Sequence, residues 1–246
     1  MPAPRIHRAH LLLVAALASA VLPVRAQTCM AKSGGQAAPV VELYTSEGCN
    51  SCPPADRWLS ALKADPSTVA LAFHVDYWDS LGWADRFASP AYTQRQTRQQ
   101  AVNGSRYNYT PQVVINGMDR KDWHGVAALP AREAANVQIS LMRSGTLVTA
   151  MVQSPTSGRL AAYWAVTEDG HSSAVKAGEN AGVTLKHDHV VRELLTVPTW
   201  LAAAGVPAML QFRPTLSADA IHPQHVNLVV VNADTGRPVQ ALKLGC

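Results

Sequence analysis

Between Val40 and Asp56 the sequence runs a buried-type strand into a C-x-x-C pair and then into two prolines. Val40-Val41-Glu42-Leu43-Tyr44-Thr45 is rich in the β-branched, aromatic and aliphatic residues that strands favour. Gly48 lets the chain turn tightly before Cys49-Asn50-Ser51-Cys52. Pro53 and Pro54 suit only the first turn of a helix, where a missing N–H breaks no bond. Trp58, Leu59 and Leu62 then recur at helical spacing, with Asp56 near the start and Lys63 near the end to match the dipole. A cysteine at a helix N-terminus meets unsatisfied N–H groups and the positive dipole end, so its thiolate is stabilised and nucleophilic near neutral pH. A spacing of two residues lets the second sulfur resolve a mixed disulfide formed by the first. This assigns Cys49 as an exposed attacking thiol and Cys52 as the buried resolving one. Glu47 sits next to the site, where an adjacent carboxylate opposes a thiolate.

The start of the chain points to export. Arg5, His7, Arg8 and His10 form a basic start, Leu11 to Leu22 run without charge, and Val24-Arg25-Ala26 fits a cleavage site ahead of Gln27. That order is the plan of a signal peptide over residues 1–26, and its apolar run is too short to span a bilayer, which takes about 20 residues. The alternative is a leader retained as an N-terminal anchor. Cleavage removes Arg5, Arg8 and Arg25 and no carboxylate, so 21 basic residues become 18 against 17 acidic ones and the net charge of +4 falls to +1. No basic stripe remains to support a nucleic-acid partner, and no mature transmembrane segment is read. The chain holds four cysteines, an even number that invites pairing in an oxidising compartment. A structural disulfide between Cys29 and Cys246 is expected beside the C-x-x-C; the alternative is two unpaired or intermolecular terminal cysteines.

Two textures follow the short N-terminal extension, residues 27–38. Over residues 39–136 strand-like and helix-like runs alternate: Val40–Thr45, a second strand over Thr68–Val75, and a third over Gln112–Asn116 closed by Asn116-Gly117. Ser89-Pro90 reads as an N-cap with proline at the first helical position. The helix it opens is polar nearly all round and is read as a solvated insertion. From residue 137 to 246 short strands dominate, at Val137–Met142, Leu147–Val152, Leu160–Thr167, His189–Val197, Ala208–Arg213 and Val226–Val231, with Gly-containing turns between them. That pattern predicts a sandwich-like β-rich region.

Thr110-Pro111 stands immediately before the third strand, a placement similar to that of the proline in thioredoxin folds, and that resemblance implies a cis bond set against the active cysteines. With Glu42-Leu43-Tyr44-Thr45-Ser46-Glu47-Gly48-Cys49, Cys52-Pro53-Pro54-Ala55-Asp56, Phe73-His74-Val75-Asp76-Tyr77-Trp78, Leu81-Gly82-Trp83, Phe87-Ala88-Ser89-Pro90 and Tyr109-Thr110-Pro111-Gln112, the chain resembles a bacterial secreted, thioredoxin-like family carried as domain of unknown function 1223. The resemblance implies an α/β thioredoxin-like N-terminal domain followed by a β-rich, sandwich-like C-terminal region. It supplies no substrate. The catalytic set expected is Cys49, Cys52, Thr110 and Pro111.

Three side chains are candidate accessories. His74 and Asp76 lie at the end of the second strand, where open α/β sheets place functional groups. Glu42 interrupts an apolar strand, and burial would fit it to accept a proton from the resolving thiol. The leading expectation is a periplasmic or secreted thiol–disulfide oxidoreductase that acts on protein thiols or disulfides with a redox partner and needs no cofactor. One alternative is a cell-envelope copper protein, since soft thiolates favour Cu(I). Cys49, Cys52 and His74 would then be ligands, with His187 and His189 on one strand face and His222 and His225 as a looser pair. The other alternative is a non-catalytic binding module in which the C-x-x-C is structural.

Overall fold

The computed structural model describes residues 28–126, 129–130 and 132–246, together with Met1. The leader read over residues 1–26 lies, Met1 apart, outside the described residues. In chain order the strands are β1 (Thr28–Lys32), β2 (Val40–Thr45), β3 (Val69–His74), β4 (Gln112–Ile115), β5 (Met118–Asp119), β6 (Gln138–Ser144) and β7 (Leu147–Gln153). They continue with β8 (Gly158–Glu168), β9 (His171–Ala174), β10 (Thr184–His187), β11 (Val190–Ala202), β12 (Ala208–Phe212), β13 (Gln224–Asn232) and β14 (Pro238–Gly245). Helix α1 spans Pro53–Ala61 and α2 spans Pro90–Asn103. No helix among the described residues is long and apolar enough to cross a membrane.

One mixed sheet organises the molecule, in the order β14-β13-β8-β11-β3-β2-β4-β5. β2 and β3 run parallel, and every residue of both is buried. Their two faces serve different partners. Val41 and Leu43 pack with Ala55 and Leu59 of α1, whereas Val40 and Tyr44 pack with Phe73, Tyr92 of α2, Tyr163 and Val229. A second sheet, in the order β1-β6-β7-β12, lays Ile139, Leu141, Val148 and Phe212 against Trp164 and Leu228 of the large sheet.

The expected α/β thioredoxin-like N-terminal domain, set apart from a β-rich region, is not what forms. The fold is β-rich, and its eight-stranded sheet passes through the expected boundary near residue 137 without interruption. β11 inserts parallel to β3, with Val190 opposite Ala72, and the Ala72 N–H donates to the His189 carbonyl at 2.8 Å. The physical reason is burial. Strands β3, β2, β4 and β5 alone would leave β3 as a bare apolar edge, and exposed apolar edges invite unwanted pairing. Tyr163, Val191, Val229 and Ala241 therefore share one core with Val40, Tyr44 and Phe73.

Helix α2 also departs from the expected solvated insertion. Ser89 caps it, accepting from the Ala91 N–H at 3.2 Å, but Tyr92, Arg95, Gln96 and Asn103 are buried. Its polar inner face is matched by polar groups rising from the sheet. Arg95 Nη2 donates to Glu42 Oε1 at 2.5 Å, the Tyr163 hydroxyl donates to the same oxygen at 2.6 Å, and the Tyr44 hydroxyl donates to Oε2 at 3.1 Å. Gln96 Nε2 donates to Gln112 Oε1 and to the Tyr109 carbonyl, each at 2.9 Å. Burying polar groups costs less where they find partners; Arg95 Nε, Gln96 Oε1 and Gln112 Nε2 stay unpartnered here.

Cys29 in β1 is joined to Cys246, just past β14, closing a sequence separation of 217 residues. In the chain-entropy account so long a loop stabilises by about 5 kcal/mol. The Cys29→Ser/Cys246→Ser variant should therefore lose about 2–5 kcal/mol of unfolding free energy, read from urea denaturation. Replacing Arg95 by Met should cost about 3–5 kcal/mol, because Glu42 is left charged and buried. The Glu42→Gln/Arg95→Met double variant should recover part of that loss in the same assay.

Candidate functional site

Cys49 and Cys52 form a disulfide across a sequence separation of 3, in the connection from β2 to α1. Cys52 occupies the N-cap of α1, and the N–H groups of Ala55 and Asp56 donate to its carbonyl at 2.9 and 3.1 Å. Pro53 and Pro54 thus fall at the first helical positions, where proline costs no hydrogen bond. Gly48 is packed so tightly on Trp78 that a Cβ there would sit 3.0 Å from the tryptophan's own Cβ. Trp78 Nε1 donates to Thr110 Oγ1 at 2.8 Å, and the Thr110–Pro111 bond is cis. Beside the pair lies a groove of about 390 Å³ lined by Ser51, Tyr107, Tyr109, Pro111, Trp123 and His124.

Both cysteines are fully buried, with 0% exposure each, so the exposed attacking thiol assigned to Cys49 is corrected. The loop of the β9–β10 hairpin bonds to the backbone around the pair. Asn180 Nδ2 donates to the carbonyls of Glu47 and Cys49 at 2.9 and 3.0 Å, and Glu179 Oε2 accepts from the Asn50 N–H at 3.1 Å. Asn50 and Ser51 remain exposed at the tip.

Behind the pair lies a buried acid–histidine cluster that sequence reasoning saw only in fragments. His74 Nδ1 is 2.6 Å from Asp85 Oδ2, an oxygen that also accepts from the Glu47 N–H at 2.8 Å. Trp83 Nε1 donates to Glu47 Oε2 at 2.7 Å, and His187 Nε2 stands 3.4 Å from Glu47 Oε1. The His74 and His187 rings meet edge to face at 5.0 Å. Thr45 Oγ1 donates to Asp56 Oδ2 at 3.1 Å. Burial opposes the charge on His74, but the Asp85 carboxylate outweighs it and raises the imidazole pKa. Burial likewise pushes Asp85 up, yet the His74 charge and the Glu47 and Phe87 N–H groups hold it at about 2. Glu47 is held below the usual carboxylate range, because His187, Ser173 and Trp83 overcome its burial. Asp56 is the exception: burial raises its carboxyl, and His187 and His74 only partly offset that. Of these groups the sequence marks His74 and Glu47 near the pair and names His187 only as a candidate copper ligand beside His189; Asp85 and Asn180 carry no local motif, and only the fold brings them in.

Other candidates fall elsewhere. Glu42 lies on the α2 side of the sheet, paired with Arg95 and the two tyrosines, and not beneath the cysteines. Asp76 is tied to α2, its Oδ1 accepting from Thr93 Oγ1 at 2.5 Å. His187 and His189 do not share a strand face: His189 lies past β10 with a φ of 56° and stands 3.6 Å from Asp169, away from Glu47. His222 stacks on His171 at 3.7 Å, and His225 Nδ1 is 3.9 Å from Asp169. Among the described residues no three His, Cys, Asp or Glu side chains are grouped to hold a metal ion.

The His74–Asp85 pair makes a signed prediction for stability against pH. Asp85 contributes stability fully above its ordinary value of 3.8 and loses it as pH falls towards about 2. His74 contributes fully below its ordinary value of 6.5 and loses that as pH rises through its raised folded value. The free energy of unfolding measured across this range should fall at both ends for the native chain. His74→Gln should lose the alkaline decline, and an unchanged slope above neutrality would count against the pair.

A family model described as protein of unknown function (DUF1223) matches residues 40–232, and the chain belongs to that family. Among solved structures, the crystal structure of protein AGR_C_4864 from Agrobacterium tumefaciens is similar, with a TM-score of 0.66 and 29% identity. That match covers 86% of this chain and 96% of the other. HBP35 of Porphyromonas gingivalis shares the fold at a TM-score of 0.56 and 14% identity, over 85% of this chain and 75% of the other. No curated protein matches the chain.

Proposed function

We propose that this member of the DUF1223 family is an exported thiol–disulfide exchange protein whose reactive pair is Cys49 and Cys52. The observation that carries the reading is the disulfide itself, closed over a sequence separation of 3 at the start of α1 and beside an aromatic groove. A bridge across so short a loop stabilises a fold by only about 2 kcal/mol in the chain-entropy account, against about 5 kcal/mol for the Cys29–Cys246 bridge. Cys49–Cys52 therefore adds little as a staple, and its place at a helix N-terminus favours thiolate formation on reduction. Two disulfides are compatible with an oxidising, extracellular compartment.

The exchange balances as follows. A partner thiolate attacks the Cys49 sulfur, a partner–Cys49 disulfide forms, and the Cys49–Cys52 bond breaks to release the Cys52 thiolate. A second partner thiolate then attacks the partner sulfur of that mixed disulfide, and the Cys49 thiolate leaves. Two electrons pass from partner to protein, and the reverse sequence reduces a partner disulfide. Asp56 lies one turn into α1 on the same helical face as Cys52, and its raised carboxyl suits it to take and return the Cys52 proton. Approach of a partner requires the Asn180 and Glu179 contacts to open, so the hairpin gates the step.

The test is a redox titration combined with trapping. A reduction potential above about −270 mV is expected, whereas a structural disulfide would lie below about −300 mV. Cys52→Ala should accumulate mixed disulfides through Cys49 in the exporting cell, and Cys49→Ala should accumulate none by that route. Asn180→Ala should speed alkylation of reduced Cys49 by iodoacetamide. A potential below about −300 mV together with an unreactive Cys49 would end the proposal.

A further inference from the structure

Four of the chain's six methionines stand on the outer face of the four-stranded sheet. Alternate residues of β6, β7 and β12 point inward, where Ile139, Leu141, Val148, Ala150 and Phe212 build the core. The residues between them face out, and Met30, Met142, Met151 and Met209 are 73%, 43%, 48% and 66% exposed. Strand register aligns them. Met30 is directly opposite Met142, and Met209 is directly opposite Met151. Met142 pairs with Thr149 and Met151 with Ser140, so Met142 and Met151 meet on the diagonal between β6 and β7. The four thioethers thus form one oblique line across all four strands, over a groove of about 460 Å³. Directly opposed Cβ atoms lie about 5 Å apart and diagonal ones about 7–8 Å. The three rotatable bonds of methionine let neighbouring sulfurs converge across those gaps.

The choice of residue is what needs explaining. A face meant only to bury apolar area would draw on the β-branched and aromatic residues that strands favour. Apart from Leu147 beside the hairpin turn, the described apolar side chains on this face are all methionine, with Ser140, Thr149 and Lys32 among them. Thioethers are soft, neutral ligands that select Cu(I). All four cysteines are tied in disulfides, so no thiol competes for a soft ion in the oxidised protein. Neutral ligands beside the Lys32 ammonium also favour a single positive charge over a divalent ion. We propose that Met30, Met142, Met151 and Met209 form a thioether site for a soft monovalent cation, Cu(I). The site is separate from the C-x-x-C and independent of the exchange reading.

The experiment uses the purified protein with both disulfides intact and Ag(I) as a redox-inert probe, followed by Cu(I) under argon against a chromophoric chelator. One ion per chain should bind, and the methionine methyl NMR signals of Met142, Met151 and at least one of Met30 and Met209 should shift. Met142→Leu/Met151→Leu replaces exposed side chains with others of similar size, so its thermal melt should match the native one while affinity falls at least tenfold. Cys49→Ser/Cys52→Ser should bind as the native chain does. Failure of the native protein to compete with the chelator, no methionine methyl shift, or native affinity in the methionine double variant would each overturn the proposal.

Discussion

The buried pair between Glu42 and Arg95 is the contact on which the arrangement of the molecule turns. Glu42 comes from β2, an interior strand of the sheet, Arg95 from α2, and the Tyr163 hydroxyl that shares the carboxylate comes from β8. The Arg95 guanidinium also lies 4.2 Å from the centre of the Tyr163 ring. A charged pair taken out of water is tolerated when most of its bonding capacity is met; Arg95 Nε is left without a partner, but both Glu42 oxygens accept, from groups on β2, α2 and β8. The seat of helix α2 on the sheet therefore includes β8. The halves of the chain are interdependent for that reason, and not only because their apolar surfaces touch.

The same logic of distant supply governs the cysteine pair. Its near side is set by local chain: the β2 exit, Gly48 packed on Trp78, and the prolines that open α1. Its far side is a buried acid–histidine cluster assembled from His74, Asp85, Glu47, Asp56 and His187, in which His74 and Asp85 hold each other's charge. The cover is an asparagine 131 residues away in sequence from Cys49. The backbone around the sulfurs is in this way tied to a hairpin in the later part of the chain.

How much was legible follows the range of the interactions involved. Strands β2, β3, β4, β6, β7, β8 and β13 announce themselves through apolar runs, and the start of α2 through Ser89-Pro90. The polar inner face of α2 reads in sequence like a solvated one, because Gln96 bonds to Gln112 and Arg95 to Glu42, and neither pairing leaves a periodic trace. Strands β9 and β10 were missed, as His-Ser-Ser-Ala and Thr-Leu-Lys-His carry little strand signal until they pair with each other. The fold class was misread for one reason: no window of sequence reveals that Val190 will lie beside Ala72. Glu42 was noticed for interrupting an apolar strand, but the face it occupies is set by α2 and not by α1.

The bridge between Cys29 and Cys246 has a topological consequence. It makes the covalent chain between those residues a closed ring. A protease that severs any one loop within the ring opens it into a single longer thread and releases no fragment. The broken ends stay held by the sheets on either side, and the cut molecule amounts to a circular permutant of the original. Two separate cuts are needed before a piece can diffuse away, so a single nick leaves the molecule in one covalent piece.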